Sequence, residues 1–455
     1  MSIQVPVDGV GRLACAYRAS GHIQRNQLGG GVRRVGGGLV GGGGEDRPVS
    51  DLTPWARARR AAREAAHPLP VVEVPLAAAV GAVLAHPLVS STPLPPFDSA
   101  GMDGWAVAGP GPWVVVGELL AGDTLDRLAD GAAVGIATGA ALPTGADAVL
   151  RRERGLLEDA GPHGVQLWVG DPVRGLKAPH PGYVEPGTDI RPRGQESASG
   201  EHLLEAGGVV TPVVAGMAAA AGYDVLPVVR PPDVAILVLG DELLERGPAR
   251  DGRVRDALGP MLPGWLASVG ARAFPPVHVP DTLAALLDAL DDANADLVVT
   301  TGSTAAGPAD HLHAALNRLG AHWVVDGVAV RPGTPMCLAT LPDGRHVLGL
   351  PGNPLAAVSA LLTLAVPLVA AMRGEVGADE SRIEQASLAV EVTTHPEHVR
   401  LIPVSRHRRD LVVEATPTMH VGPAMLRGLS LADGVAVVHP DGGARGTTVS
   451  VLPLP

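Results

Sequence analysis

VAILVLG (residues 234–240), MLPGWLASVG (261–270), DLVVTTG (296–302), HLHAALNRLG (311–320), HVLGLPG (346–352) and LAAVSALLTLAV (355–366) succeed one another along the middle of the chain. Short β-branched runs that stop at glycine alternate with stretches of helical spacing. That alternation predicts right-handed crossovers and a mostly parallel sheet covered by helices, a three-layer α/β domain over residues 232–375. Upstream, residues 49–231 carry one early helix at residues 55–67, with Thr53 and Pro54 as its cap and first-turn pair, and then Val-rich strands broken by Gly and Pro. This stretch is read as largely β. From residue 381 to 455 short strands return and predict a small closing β domain. The whole is a multidomain α/β plus β chain, as 455 residues exceed what one core organises.

Residues 1–48 differ from all this. GGGVRRVGGGLVGGGG, Gly29 to Gly44, has neither a strand nor a helix period and is expected to be disordered. The opening lacks the basic start, apolar run and small-residue cleavage site of a signal peptide.

Composition removes several function classes. Hydrophobic residues make up 46% but aromatics only 2%, so the cores are built from Ala, Val and Leu. A formal net charge of -12, without an aromatic and basic stripe, excludes nucleic acid as the natural partner. The two cysteines, Cys15 and Cys337, form no CxxC pair, which argues against a disulfide framework or structural zinc and fits a reducing cytoplasm. No HExxH occurs, and His311 and His313 are spaced to point to different helix faces. Two uncharged stretches, Ala206 to Tyr223 and Pro354 to Met372, are read as core rather than membrane spans because Gly, Pro and Thr interrupt the first and Pro354 and Pro367 mark the second.

Candidate chemistry gathers where the central strands end, since open α/β sheets bind ligands at the carboxyl ends of parallel strands. After residues 297–299 come Thr300, Thr301, Gly302, Ser303 and Thr304, then Gly307 and Asp310 before a helix, a turn whose backbone N–H groups suit a phosphate or other oxyanion. In GLPGNP, Gly349 and Gly352 allow close backbone approach, Asn353 is a ready N-cap and Pro354 fits the first helical position. Asp241 and Glu242 stand side by side at a third strand end, where carboxylates could hold Mg²⁺ beside substrate phosphates. The earlier region adds Asp98, Met102, Asp103 and Gly104 behind a stiff Pro93, Pro95 and Pro96 lead-in, Thr138 and Asp147 in a Gly-rich turn, and Arg191, Arg193 and Glu196, the two guanidiniums being suited to an anion.

In this order, PPFD with MDGWAV, TGAALPTGADAV, GTDIRPRG, GDEL, VVTTGSTAAGPADH, RPGTP, GLPGNP and SLADGVAV resemble the molybdopterin molybdenumtransferase family, which is also represented by the E domain of gephyrin. The resemblance covers residues 49–455. It implies an elongated linker with an inserted β domain, the α/β domain, and a C-terminal β-barrel. It further implies a homodimer in which the linker region of one chain closes on the α/β domain of the other. By resemblance, Asp103, Thr138, Glu196, Asp256 and Arg331 are catalytic positions, with Glu196 where the family more often has Asp. Gly302, Ser303, Thr304, Pro351, Gly352, Asn353 and Pro354 correspond to cofactor-binding loops, and Glu242 and Asp310 to metal ligands. The implied reaction brings molybdate to the dithiolene of adenylylated molybdopterin, with Mg²⁺ and release of AMP. Metal is expected because a dianion approaching a phosphoanhydride meets strong repulsion.

The chain also departs from the family. The lysine-rich KPGKP reads RPGTP, so Arg331 keeps one charge and Thr334 loses another; Gly327 stands where a further lysine is sometimes found. DSN reads Asp256-Ala257-Leu258, TGGTS reads Thr301 to Ala305, and Pro423 replaces a common serine. These changes raise the alternative of a catalytically weakened paralogue that binds molybdopterin as carrier, scaffold or sensor.

Overall fold

The computed structural model describes residues 51–171, 173–177, 183–304, 311–377 and 383–455. The Gly-rich stretch 1–48 and Asp310 lie outside the described residues.

The central sheet runs in the order Arg272–Ala273 with Val277–Val279, Asp233–Leu239, Leu297–Thr301, His346–Leu350, Cys337–Thr340 and His322–Asp326. Its first strands pair in parallel. The last two are antiparallel: residues 341–345, with Leu341 N–H donating to the Arg345 carbonyl at 2.8 Å, form a turn too short for a crossover helix and return Cys337–Thr340 antiparallel to His346–Leu350, and His322–Asp326 pairs antiparallel with Cys337–Thr340 in turn. The sequence pattern had not disclosed these two strands. Leu297–Thr301 and His346–Leu350 are buried throughout, as expected of parallel strands covered on both faces. One face packs against the helices Trp55–Glu64 and Leu258–Ser268 and the continuous helical run Pro354–Met372. The other packs against Leu283–Asp292 and Leu312–Arg318. This is the three-layer arrangement expected.

Pro354–Met372 is long and apolar enough to cross a membrane by length and composition, but nearly all of it is buried inside the fold, so it serves as a core helix. Its middle, Leu361–Ala365, is π-helical. In that register the Leu362 carbonyl would accept from residue 367, yet Pro367 has no N–H to give. The early helix supplies the missing donor: the buried Arg59 guanidinium donates to the Leu362 carbonyl, and Trp55 Nε1 donates to Thr363 Oγ1 at 3.0 Å. The early helix is therefore built into the central core, and it stops at Glu64 rather than His67. Thr53 does not cap it. Pro54 holds the N-cap position, and the Thr53 amide donates instead to the Gly327 carbonyl at 3.1 Å.

Between the early helix and the central domain, a sheet formed by Leu176–Lys177, Val165–Asp171, Trp113–Leu119, Ala132–Ile136, Gly104–Val107 and Ala148–Arg151 makes the inserted β domain. Alternate residues of Ala132–Ile136 enter cores on opposite sides, Val134 with Leu128 and Val149, Ala133 with Trp113 and Leu167, so the whole strand is apolar. At the other end, Glu384–Leu388, Val399–Arg409, Val412–Pro417, Gly434–Val438 and Thr448–Pro453 close into a five-stranded barrel, since Val399–Arg409 also pairs with Gly434–Val438. Val399, Leu401, Val435 and Leu452 of this barrel enter the same core as the central helices, which fixes the barrel against the α/β domain.

Candidate functional site

The central strand Leu297–Thr301 ends in Gly302 at φ 80° and Ser303 at φ 53°, two successive left-handed residues that turn the chain sharply away from the sheet. Gly302 N–H donates to the Leu350 carbonyl at 2.8 Å, which ties this tip to the neighbouring GLPGNP loop. Gly352 lies close enough that a Cβ there would stand 3.7 Å from Gly302 Cα. Gly302, Ser303, buried Thr304, Pro351, Gly352, Asn353 and Pro354 thus form one neighbourhood at the carboxyl end of the sheet.

Asn353 occupies the N-cap position, and Pro354 the first helical one, but the Asn353 side chain makes no capping bond. The Leu355 and Ala356 amides donate instead to the Pro423 carbonyl, at 2.9 and 3.4 Å. A loop of the barrel thereby occupies the orphan donors of this helix. The Asn353 amide is left to line an adjoining cavity of about 640 Å³ together with Arg331, Thr334, Pro351, Arg400 and Pro423. Val330–Arg331 pairs in parallel with Val399 and Arg400 of the barrel, so the two arginines stand side by side in register. Arg400 was not signalled by any motif. Thr334 Oγ1 is engaged with the Val330 carbonyl at 2.7 Å, closing the RPGTP turn.

Asp241 and Glu242 stand together at the tip of Asp233–Leu239. Asp241 is held by reciprocal bonds with Asp281: the Asp241 amide donates to Asp281 Oδ2 at 3.0 Å, and the Asp281 amide to Asp241 Oδ1 at 3.4 Å. Glu242 is exposed beside it. Among the described residues, no group of three or more His, Cys, Asp or Glu is placed to hold a metal ion. Asp256 lies on the same side, its amide bonded to the Leu244 carbonyl at 3.0 Å. Its carboxylate is 5% exposed; Oδ1 accepts from the Leu258 and Gly259 amides, both at 2.9 Å, and Oδ2 faces His278 Nε2 at 3.5 Å. Asp256, one residue ahead of the N-cap Ala257, therefore satisfies the first amides of the helix Leu258–Ser268 in place of a capping side chain. His313, which the spacing had set aside as a ligand, bonds Asp326 at 2.8 Å and stacks on Trp323.

The remaining residues lie in the linker and inserted β domain. Asp103 Oδ1 accepts from the Thr138 amide at 2.7 Å and from Thr138 Oγ1 at 2.8 Å, and both groups are exposed. The Thr138 amide first, then its hydroxyl, hold the Asp103 carboxyl below the usual carboxylate range, with Arg152 adding a smaller electrostatic pull. Asp98 accepts from the Arg193 amide at 2.7 Å, which joins the PPFD and TDIRPRG segments. Asp147 accepts from the Gly109 amide at 2.6 Å and so ties the ends of Gly104–Val107 and Ala148–Arg151 together. A fork from Arg151 to Asp189, 2.6 and 2.7 Å, was missed by motif reading and fixes the same loop. Glu196 is exposed, its amide bonded to the Leu94 carbonyl at 2.8 Å. Among the described residues of one chain, no hydrogen bond joins the Asp103–Thr138 pair to the strand-tip loops.

The site thus combines an α/β domain with glycine-rich strand tips, a two-arginine cavity shared with a barrel, and a β module bearing an exposed Asp–Thr pair. Family models resolve the class. Residues 53–222 match the MoeA N-terminal region (domains I and II), 235–371 the probable molybdopterin binding domain, and 385–454 the MoeA C-terminal region (domain IV). The molybdopterin molybdenumtransferase of Synechococcus elongatus is 31% identical over 327 residues, 68% of this chain and 77% of that protein. That of Staphylococcus aureus is 28% identical over 321 residues, 67% and 72% of the two chains. The crystal structure of a molybdopterin biosynthesis MoeA protein from Pyrococcus horikoshii superposes with a TM-score of 0.70 at 25% identity, over 88% of this chain and 99% of that one. The chain belongs to the molybdopterin molybdenumtransferase family.

Proposed function

We propose that this chain, an enzyme of molybdenum cofactor biosynthesis, inserts molybdate into adenylylated molybdopterin: the two dithiolene thiols replace two molybdate oxygens, which leave as two hydroxide equivalents, one consumed in hydrolysing the phosphoanhydride so that AMP leaves and the other protonated to water. The observation that carries this reading is the junction of the Gly302 and Gly352 tips with a cavity lined by both Arg331 and Arg400. Two adjacent guanidiniums suit a tetrahedral dianion, and strand tips with left-handed glycine suit close approach of a phosphorylated pterin. Gly302, Ser303, Thr304, Pro351, Gly352, Asn353 and Pro354 form the pterin-facing wall, and Arg331 with Arg400 holds molybdate.

The resemblance assigns Mg²⁺ to Glu242 and to Asp310, the latter outside the described residues. Glu242 offers hard carboxylate oxygen and Asp310 would be the second ligand; Mg²⁺ ordinarily takes one or two carboxylates and completes its shell with substrate phosphates and water. When bound, it would neutralise charge on the phosphoanhydride and the incoming dianion. Asp256 positions: its cap orders the start of Leu258–Ser268 next to Glu242. Asp103, with its proton held off by Thr138, and Glu196 provide fixed negative charge from the linker module.

The linker module acts in trans. Both groups of the Asp103–Thr138 pair face solvent and, among the described residues, make no hydrogen bond to the strand tips; the family resemblance supplies the reading of a homodimer in which each linker closes over the partner's cavity. The protein works in the cytoplasm on small-molecule substrates, in keeping with its two cysteines and acidic charge.

The test is incubation of the purified chain with adenylylated molybdopterin, Mg²⁺ and molybdate. Release of AMP that depends on molybdate is expected. Tight pterin binding without AMP release would instead make the chain a carrier or scaffold, the role that Thr334, its hydroxyl spent on Val330, would favour.

A further inference from the structure

TTHPEHVR, residues 393–400, leads into the barrel strand that carries Arg400. Two of its histidines are arranged against one another: the rings of His395 and His398 are perpendicular, at 89°, with centroids 4.3 Å apart, and their Nδ1 atoms are 2.9 Å apart. The Glu397 amide also donates to His395 Nδ1, at 3.2 Å. A backbone N–H can only donate, so His395 Nδ1 carries a lone pair. Two nitrogen lone pairs would repel at 2.9 Å, so His398 Nδ1 carries the proton between the rings. The ring proton of His395 is then on Nε2.

His395 lines the same cavity as Arg331, Arg400, Thr334 and Asn353. Its Nδ1 edge is turned to its own loop, and the ring N–H that remains to meet the cavity is Nε2–H. We propose that His395 is a tautomer-locked donor, fixed by His398 and the Glu397 amide, that binds the tetrahedral oxyanion held between Arg331 and Arg400. This rests on the reading of that cavity as the molybdate site. The arginines supply charge and bind any dianion of suitable size; a single N–H of fixed direction adds a requirement for an unprotonated oxygen at one place. Molybdate meets it with every oxygen. The charged groups around the ring are Arg331 on the RPGTP turn, Arg400 on the barrel strand and Glu397 in the loop itself.

The test uses the full chain with molybdate alone as probe, in equilibrium dialysis. His395→Leu should weaken molybdate binding by about tenfold or more, the loss of one hydrogen bond to a charged acceptor. His395→Gln, which keeps a donor, should bind within roughly threefold of the parent. Nitrogen-15 histidine spectra, with His395 assigned from its absence in the glutamine variant, should give the Nε2-protonated tautomer before molybdate is added and a displaced Nε2–H signal after. An Nδ1-protonated His395, or parental affinity in His395→Leu while Arg400→Ala loses molybdate, overturns the assignment of His395 alone. Parental affinity in Arg400→Ala and Arg331→Ala as well removes the oxyanion cavity itself, and the inference with it.

Discussion

Replacing Gly259 with alanine tests how the Asp256 carboxylate is held. An added Cβ at residue 259 would lie 2.2 Å from Asp256 Oδ2, so the carboxylate has to leave its place over the first turn of Leu258–Ser268. Two amide bonds to Oδ1, both 2.9 Å, go with it. Loss of such a cap costs about 1 kcal/mol. A carboxylate left buried without its donors adds about 1–3 kcal/mol. Against this, alanine gains at most about 1 kcal/mol over glycine in helix propensity. The clash wins, with a net loss of about 2 kcal/mol, and at about 2–4 °C per kcal/mol the thermal midpoint should fall by about 4–8 °C. Calorimetry of Gly259→Ala, Asp256→Ala and the double variant provides the assay. Because the damage passes through Asp256, the double variant should be no less stable than Asp256→Ala alone. A neutral Gly259→Ala, or strictly additive losses, would refute this account of the cap.

Other outcomes follow from the same geometry. Thr138→Val keeps the backbone donor but removes the hydroxyl from Asp103, so the Asp103 titration followed by NMR should move back towards the ordinary value of about 3.9 while staying below it; an unchanged titration would mean the hydroxyl contributes nothing. Burial pushes the His346 imidazole below its ordinary range, Asp296 opposing and His67 assisting. The folded state thus binds fewer protons there than the unfolded chain, so this contribution is full above about pH 6.5 and is lost as pH falls towards the lowered value. Thermal midpoints of His346→Gln should be flatter across that window than those of the parent, and equal slopes would contradict the assignment. Arg59→Met should orphan the Leu362 carbonyl at a cost of about 1–3 kcal/mol in denaturant unfolding. The same change should cost less in a Pro367→Ala background, where residue 367 regains an N–H for that carbonyl; an equal cost would sink the account of the π-helical turn.

Much of the architecture was written in local pattern. Alternating apolar runs and helical spacing between residues 234 and 366 specified a layered sheet, because strands covered on both faces must be apolar along their length. Cys337–Thr340 and His322–Asp326 escaped notice, being too short to carry a period of their own and joined to the sheet through a tight turn. The site was legible where one residue type answers to one backbone demand, as with Gly302 at its left-handed turn and Pro354 at a helix start. It was not legible where the partner is distant in sequence. Asn353 satisfies the composition of a cap, but the Pro423 carbonyl does the capping; Asp256 belongs to a family motif, but its burial follows from Gly259 and His278. Arg400 acquires its place only through the register that sets it beside Arg331.

The proposal that two subunits share each site is tested most directly by mixing two inactive variants, Asp103→Asn and Arg331→Ala, after reversible dissociation and reassociation. Each alone should release no AMP. If the linker acts in trans, half of the dimers formed by random mixing are heterodimers with one intact site each, and about one quarter of parental activity should return. Mixtures as silent as their components, with heterodimer formation verified, would contradict the shared site.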